Sequence, residues 1–262
     1  MFEIKVIMIS VLLLSSVAQA KKPVLELGVG VMGLRYPVYL GASKQKTLLL
    51  PVPYIQYHGE AFEVDNSGVK KSLFDVDGLR VDMSLSGSLP VDSGSSALRE
   101  GMEDLDFIFE TGPKITYELW KEEAYTLSFH VPLRSVISTN FEDDISHRGF
   151  FTSPHFKLSQ THHDRKISCS SGVVFASEDY HDYFYGVDAK YATAQRSAYS
   201  AKGGYGGFRN ELGFSDQQGS WVYDAYIIHY LLDGAVFEDS PLVEQKNGLF
   251  MQVSLSYIFY SK

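Results

Sequence analysis

The chain is built from short segments in which apolar and polar side chains alternate. Between Gly248 and Tyr260, Leu249, Met251, Val253, Leu255, Tyr257 and Phe259 fall on one face. Phe250, Gln252, Ser254, Ser256, Ile258 and Tyr260 fall on the other. Successive residues of a strand point to opposite sides, so this period of two predicts a strand with one face in an apolar medium and one that tolerates water. The pattern recurs upstream. Leu25, Leu27, Val29 and Val31 alternate with Glu26, Gly28 and Gly30, and Leu79, Val81, Met83 and Leu85 face away from Arg80, Asp82, Ser84 and Ser86. Phe107, Phe109, Ile115, Tyr117 and Leu119 oppose Glu110, Lys114, Thr116 and Glu118, and Tyr125, Leu127, Phe129, Val131 and Leu133 oppose Thr126, Ser128, His130 and Arg134. Shorter stretches around Phe156, Ile167 and Phe208 behave alike, whereas Trp221 to Leu231 is apolar on both sides apart from Asp224 and His229, so its facing stays open. Pro51 and Pro53 interrupt Leu48 to Tyr57, which predicts weakened pairing or a bulge there. Ala61 to Asp65 and Val69 to Phe74 form a short pair about the turn Asn66-Ser67-Gly68.

These segments amount to about twelve strands of a length that spans a bilayer when tilted. Their connections sort by length. Short links fall at His58 to Glu60, Asp75 to Gly78, Trp120 to Glu123, His162 to Asp164 and Ser215 to Gly219. Long ones occupy Leu34 to Lys46, Pro90 to Glu103, Val136 to Arg148, Ser177 to Gly203 and Leu232 to Asn247. Apart from Asn66-Ser67-Gly68, short and long links alternate, as they do in outer-membrane barrels with short periplasmic turns and longer external loops. The expected fold is therefore all-β: a single antiparallel transmembrane β-barrel.

The N-terminus agrees with that compartment. Lys5, the apolar run Val6 to Leu14 and the small residues Ala18-Gln19-Ala20 have the layout of a cleaved secretory signal peptide. The division expected is residues 1–20 as signal and 21–262 as one barrel domain. Beyond Leu14 no apolar run is long enough for a spanning helix, so a membrane role requires a closed sheet. The net charge of −9 comes without a basic cluster, which argues against nucleic acid as a partner. Aromatics make up 14% of the chain, enough to supply girdles at two membrane interfaces. Cys169 is the lone cysteine, lies within an apparent strand and is expected to be a buried thiol outside any disulfide.

Three clusters bear on chemistry. Adjacent residues of a strand face opposite ways, so His162-His163-Asp164 is better read as a solvated turn than as metal ligands. Glu178, Asp179, His181 and Asp182 carry oxygen ligands suited to a divalent cation but lack a fixed ligand register, and a solvated external loop is expected. Ser128 and His130 share a face, with Ser135 a little beyond, which is the raw material of a hydrolase without an evident third member. No catalytic, cofactor-binding or metal residue is assigned. The charged residues expected to face the lumen are Arg80, Asp82, Glu110, Lys114, Glu118, His130, Arg134, Lys157, Arg209 and Glu211, with both signs interspersed. That mixture suits a mutually paired interior as well as an unselective aqueous path.

Four phrases resemble the MipA/OmpV family of outer-membrane proteins. They are Pro51-Val52-Pro53-Tyr54-Ile55-Gln56-Tyr57, Asp75-Val76-Asp77-Gly78-Leu79-Arg80-Val81, Tyr183-Phe184-Tyr185-Gly186-Val187 and Asp239-Ser240-Pro241-Leu242, in the family's order along nearly the whole mature chain. The ending departs from the pattern, since Phe259-Tyr260 is followed by Ser261-Lys262. The resemblance implies a barrel in the outer membrane of a Gram-negative bacterium, in contact with lipid and lipopolysaccharide. It further implies a scaffold that brings a murein hydrolase together with a murein synthase, and it offers no catalytic residues to carry over. The alternatives are a small-solute channel and, less favoured, a lipid hydrolase.

Overall fold

A computed structural model describes residues 24–59, 62–65, 68–142 and 145–262. The proposed signal segment lies outside them. Thirteen strand segments are present: β1 Val24–Pro37, β2 Gln45–His58, β3 Glu63–Asp65, β4 Gly68–Val76, β5 Leu79–Ser88, β6 Phe107–Glu122 and β7 Tyr125–Thr139, then β8 Ile145–Thr152, β9 His155–His162, β10 Arg165–Ala176, β11 Gly204–Gln218, β12 Trp221–Leu231 and β13 Asn247–Ser261. Each pairs antiparallel with its neighbours, and β13 pairs back onto β1, closing the sheet into a barrel. β8 and β9 are halves of one stave: β7 pairs with β8 from Leu133 to Thr139 and with β9 from Tyr125 to His130. The break falls at Ser153-Pro154, where proline cannot donate to a ladder. Thirteen segments therefore make twelve staves, as the alternation predicts.

Four hairpins at one end turn in two residues, between Val76 and Leu79, Glu122 and Tyr125, His162 and Arg165, and Gln218 and Trp221. Asp77-Gly78 takes positive φ at both positions (49° and 81°), the mirror-image turn whose twist matches its flanking strands. The strands thus run farther toward this end than expected, absorbing Trp120 to Glu122 and Ser215 to Gln218. At the opposite end the expected loop Val136 to Arg148 shrinks to a short link, because β7 continues to Thr139 and β8 begins at Ile145. β8 carries His147, Arg148 and Gly149 among its apolar residues, so its period of two is poorly marked in sequence.

The faces divide as a membrane requires. Leu49, Val253 and Phe259 point outward with 75%, 61% and 62% of their surfaces exposed, in company with Val29, Leu212, Phe156 and Leu119. So broad an apolar surface is stable only against lipid. Trp120, Tyr125, Trp221, Tyr257 and Tyr260 are exposed near the short-turn end and form an aromatic girdle there. Register settles β12: Asp224 opposes Ser254 and Tyr226 opposes Gln252 on the inside, while Trp221, Tyr223 and Ile227 face out. Cys169 corrects an expectation. It is exposed on the outer face of β10, because it shares the parity of Ile167 rather than of the buried Ser168 and Ser170. On the seam between β1 and β13, Gly28 and Gly30 allow close approach: a Cβ at Gly28 would lie 2.4 Å from the Tyr257 carbonyl oxygen, and one at Gly30 2.3 Å from Ser256 Oγ.

Candidate functional site

The site is the lumen, and it has three parts: a periplasmic vestibule, an upper chamber and a cap. The vestibule has a volume of about 1470 Å³ and is lined by polar groups, including Asp75, Glu118, Lys121, Asp164 and Lys166 at the short-turn end. The chamber above it measures about 680 Å³ and is aromatic, with Tyr36, Phe151, Tyr180 and Phe250 on its walls. Lys114, His155, Lys157, Glu211, Tyr226 and Gln252 line both and form the belt where they meet.

The lumen charges are largely paired within the wall. Arg134 donates to Glu110 at 3.0 Å, Arg209 pairs with Glu211, and Asp82 sits 3.9 Å from both Arg80 Nε and Lys114 Nζ. Glu118 is 3.8 Å from Lys121. Opposite charges meet side by side along one strand, as in Arg80–Asp82 and Arg209–Glu211, and across neighbouring strands, as in Lys114–Asp82 and Arg134–Glu110, so the mixed signs of the sequence become a self-neutralising interior.

The long loops fold over the chamber as a cap with a core of its own. Val38, Tyr39, Val91, Leu105, Val187 and Leu242 form one buried cluster, and Tyr185, Ala201, Leu232, Ala235 and Phe237 a second. Tyr185 stacks on Phe237 with ring centroids 3.7 Å apart and planes 7° from parallel. Polar bonds tie the loops together: Tyr39 donates to the Leu242 carbonyl at 2.7 Å, Tyr185 to that of Leu40 at 3.0 Å, and Ser240 to that of Tyr185 at 2.7 Å. Arg196 donates to the carbonyls of Leu98, Glu100 and Tyr191, each bond of 3.1 Å or less. Burial raises the Tyr185 phenol well above its ordinary pKa.

Within the cap the expected acidic loop is a helix, α1, Glu178–Tyr185. Glu178 and Asp179 occupy its first turn, where the helix dipole favours negative charge. His181 is turned inward and fully buried, its Nδ1 is 2.8 Å from the Lys202 carbonyl, and burial lowers its pKa. Asp182 accepts the Ala201 N–H at 2.8 Å. His181 and Asp182 tie the helix to the cap, whereas Glu178 and Asp179 are exposed to solvent. Nothing in local sequence except Ser177 followed by two acids signals the helix start.

Ser128 and His130 do meet: Oγ and Nε2 share a hydrogen bond of 2.8 Å, and Thr116 Oγ1 is 3.0 Å from Nδ1. The orienting group is a hydroxyl, which cannot neutralise an imidazolium as a carboxylate does. Ser135 lies on the outer face, bonded to His147 at 3.1 Å. His162 and His163 are exposed at a turn, with φ of 53° at His163. No group of three or more metal-ligating side chains occurs among the described residues.

Among the described residues one stretch of wall is incomplete. β3 has three residues and pairs with β2 only at Tyr57 and His58, while β4 pairs with β5 only from Leu79 to Ser84. Above these ladders Gln45 to Gln56 of β2 and Leu85 to Ser88 of β5 have strand partners on one side only, among the described residues. The result is a lateral notch toward the capped end. The bulge or weakening expected at Pro51 and Pro53 resolves here: the ladder from β2 to β1 runs unbroken through both, so their missing N–H groups fall on the free edge.

A closed antiparallel sheet with a lipid-facing apolar band, a charge-paired lumen and a folded external cap defines an outer-membrane β-barrel. The chain belongs to the MipA family: residues 27–259 match the model described as MltA-interacting protein MipA. It is 27% identical to outer membrane protein OmpV of Vibrio cholerae serotype O1 over 78% of this chain and 76% of that protein. It is 26% identical to outer membrane protein Omp26La of Vibrio anguillarum over the same shares. Among solved structures, the NanC porin aligns over 87% of this chain and 98% of its own, at 8% identity and a TM-score of 0.42. The protein is located in the outer membrane.

Proposed function

We propose that this barrel is a non-enzymatic, non-conducting docking protein whose periplasmic mouth receives a murein-degrading enzyme. The observation that carries the reading is the asymmetry of the lumen. Loops with two buried clusters fold over its outer end, while the vestibule of about 1470 Å³ lies at the short-turn end. A barrel shaped for solute flow has no use for such a cap, whereas a concave periplasmic mouth enlarges the area a partner can bury. Short turns alone offer less than the roughly 1,200 Å² of a standard stable interface, so docking requires several turns and the mouth together. The family's description as MltA-interacting proteins supports a murein enzyme as partner, and the synthase follows from the scaffold reading. Trp120 belongs to the girdle, so the polar edge Lys121 to Glu123 is the part of that turn available to a partner.

The test is affinity capture from outer membranes against an unrelated barrel. Enrichment of a murein hydrolase or synthase is expected, and its absence overturns the reading. A channel is the second reading, because vestibule and chamber share a belt and follow one another along the lumen. Planar-bilayer recording decides between them: silence is expected, and steady unit conductance favours the channel. For the hydrolase, release of fatty acid from phospholipid that vanishes in His130→Ala would revive an enzyme.

A further inference from the structure

The notch has a chemistry that neither a docking role nor a pore requires. The inward face of most of the wall is polar; β13, for example, presents Gln252, Ser254 and Ser256. On the β2 side of the notch the inward face becomes apolar, while β5 keeps Ser84, Ser86 and Ser88 there. Leu48, Leu50 and Val52 of β2 point inward, and Leu48 and Leu50 are paired across the ladder with Leu34 and Met32 of β1. Outward on the same strand stand Leu49, Pro51, Pro53 and Ile55. β2 is therefore apolar on both faces where it borders the opening, which a strand between lipid and water does not need.

The other margin lines the aromatic chamber through Ser86, Gly87 and Ser88. At about 680 Å³ that chamber lies within the roughly 300–1,000 Å³ of small-molecule pockets. The free edge disfavours an added strand, because Pro51 and Pro53 withhold two donors that a strand would need. Its remaining peptide groups need polar partners, which bare hydrocarbon lacks. An amphiphile supplies both requirements: its head group meets the edge, and its chain lies along Leu48, Leu50 and Val52. The head is neutral overall, since neither margin, Thr47 to Gln56 of β2 or Ser84 to Ser88 of β5, carries a charged side chain to pair with a net charge.

We propose that the notch between β2 and β5 is a lateral portal that binds the chain of a single-chain amphiphile with a zwitterionic or uncharged head, taken from the outer leaflet. The site stands apart from whatever docks on the periplasmic mouth. The experiment uses the full barrel in phosphatidylcholine vesicles with both native tryptophans replaced (Trp120→Phe, Trp221→Phe). Reporters are Leu50→Trp inside the notch, Leu49→Trp on the lipid face and Ser159→Trp in the vestibule. The probe is lysophosphatidylcholine brominated at mid-chain.

Quenching of Leu50→Trp is expected to saturate and to be displaced by unbrominated lysophosphatidylcholine. Leu49→Trp should show only unsaturable quenching, and Ser159→Trp should respond to iodide alone. Adding Leu48→Glu should raise the half-saturating concentration at least tenfold. Iodide quenching without bromolipid quenching at Leu50 would overturn the portal, as would a response there that matches Leu49. Brominated stearate binding more tightly than the lysolipid would overturn the choice of head. If Leu50→Trp fails to fold, as judged by heat-modifiable gel migration, Met32→Trp takes its place and carries the same outcomes.

Discussion

Replacing Phe237 with alanine should convert a silent barrel into an intermittently conducting one. Phe237 is 1% exposed, stacks face to face on Tyr185 at 3.7 Å and meets the His181 ring edgewise at 4.7 Å. Truncating a buried phenylalanine costs about 3–5 kcal/mol, the lost transfer energy plus the cavity left behind. The loss falls on the cap and not on the ladders of the wall, because the neighbours of Phe237 are loop residues and α1. If the cap opens as a unit, that cost multiplies the open population by about 10²–10⁴, at 1.36 kcal/mol per factor of ten. Single-channel recording reads the change directly, as openings absent from the parent. External protease should also cleave the loop Leu232 to Lys246 faster, while the gel mobility of the folded barrel stays the same. Continuous conductance in the unaltered protein, or a silent and protease-resistant Phe237→Ala, would refute the idea that this core keeps the lumen shut.

The remaining predictions concern charge, pairing and the membrane. His181 titrates below its ordinary value because of burial, so its folded pKa is depressed relative to the unfolded chain. Its contribution to cap stability is complete above the unfolded value of about 6.5 and is lost as pH falls toward the folded one. Loop proteolysis should therefore accelerate below that pH and flatten in His181→Asn. Arg134→Ala leaves Glu110 without its partner at 3.0 Å and should destabilise the barrel by about 3–5 kcal/mol in urea-dependent gel shifts. Removing both charges, as in Arg134→Met with Glu110→Leu, should recover most of that loss. Trp120 and Trp221 both sit in the girdle, so native fluorescence should be quenched more by lipid brominated near the head group than at the chain end.

The wall was far more legible in the sequence than the cap. A period of two survives in β5, β6, β7 and β13 because one face meets lipid and the other a charged lumen, so every residue declares its side. All ten lumen charges named from the pattern lie on inward registers, since parity alone decides facing once a strand exists. Cys169 shows how that logic can be misapplied: its own parity marked it as outward, and only the habit of burying lone thiols suggested otherwise. β8 escaped notice because histidine, arginine and glycine blur its alternation. The cap was unreadable for a different reason. Its core joins residues as far apart as Tyr39 and Leu242, and no local pattern specifies contacts across that distance. With the structure in hand, two family phrases converge there, since Ser240 donates to the Tyr185 carbonyl. Of the other two, one lies on β2 beside the notch and the other at the β4–β5 turn of the short-turn end.

The glycines on the β1–β13 seam bear on how the cylinder is made. Those two strands meet across more than two hundred residues, so their ladder is the joint between the first and last staves to leave the ribosome. Gly28 and Gly30 leave that joint without side chains in the way, and a methyl group at either would collide with the incoming strand. A Gly30→Ala chain would be expected to fold each hairpin and still fail at the final zipping, stranding an open ribbon for the cell's quality control to clear.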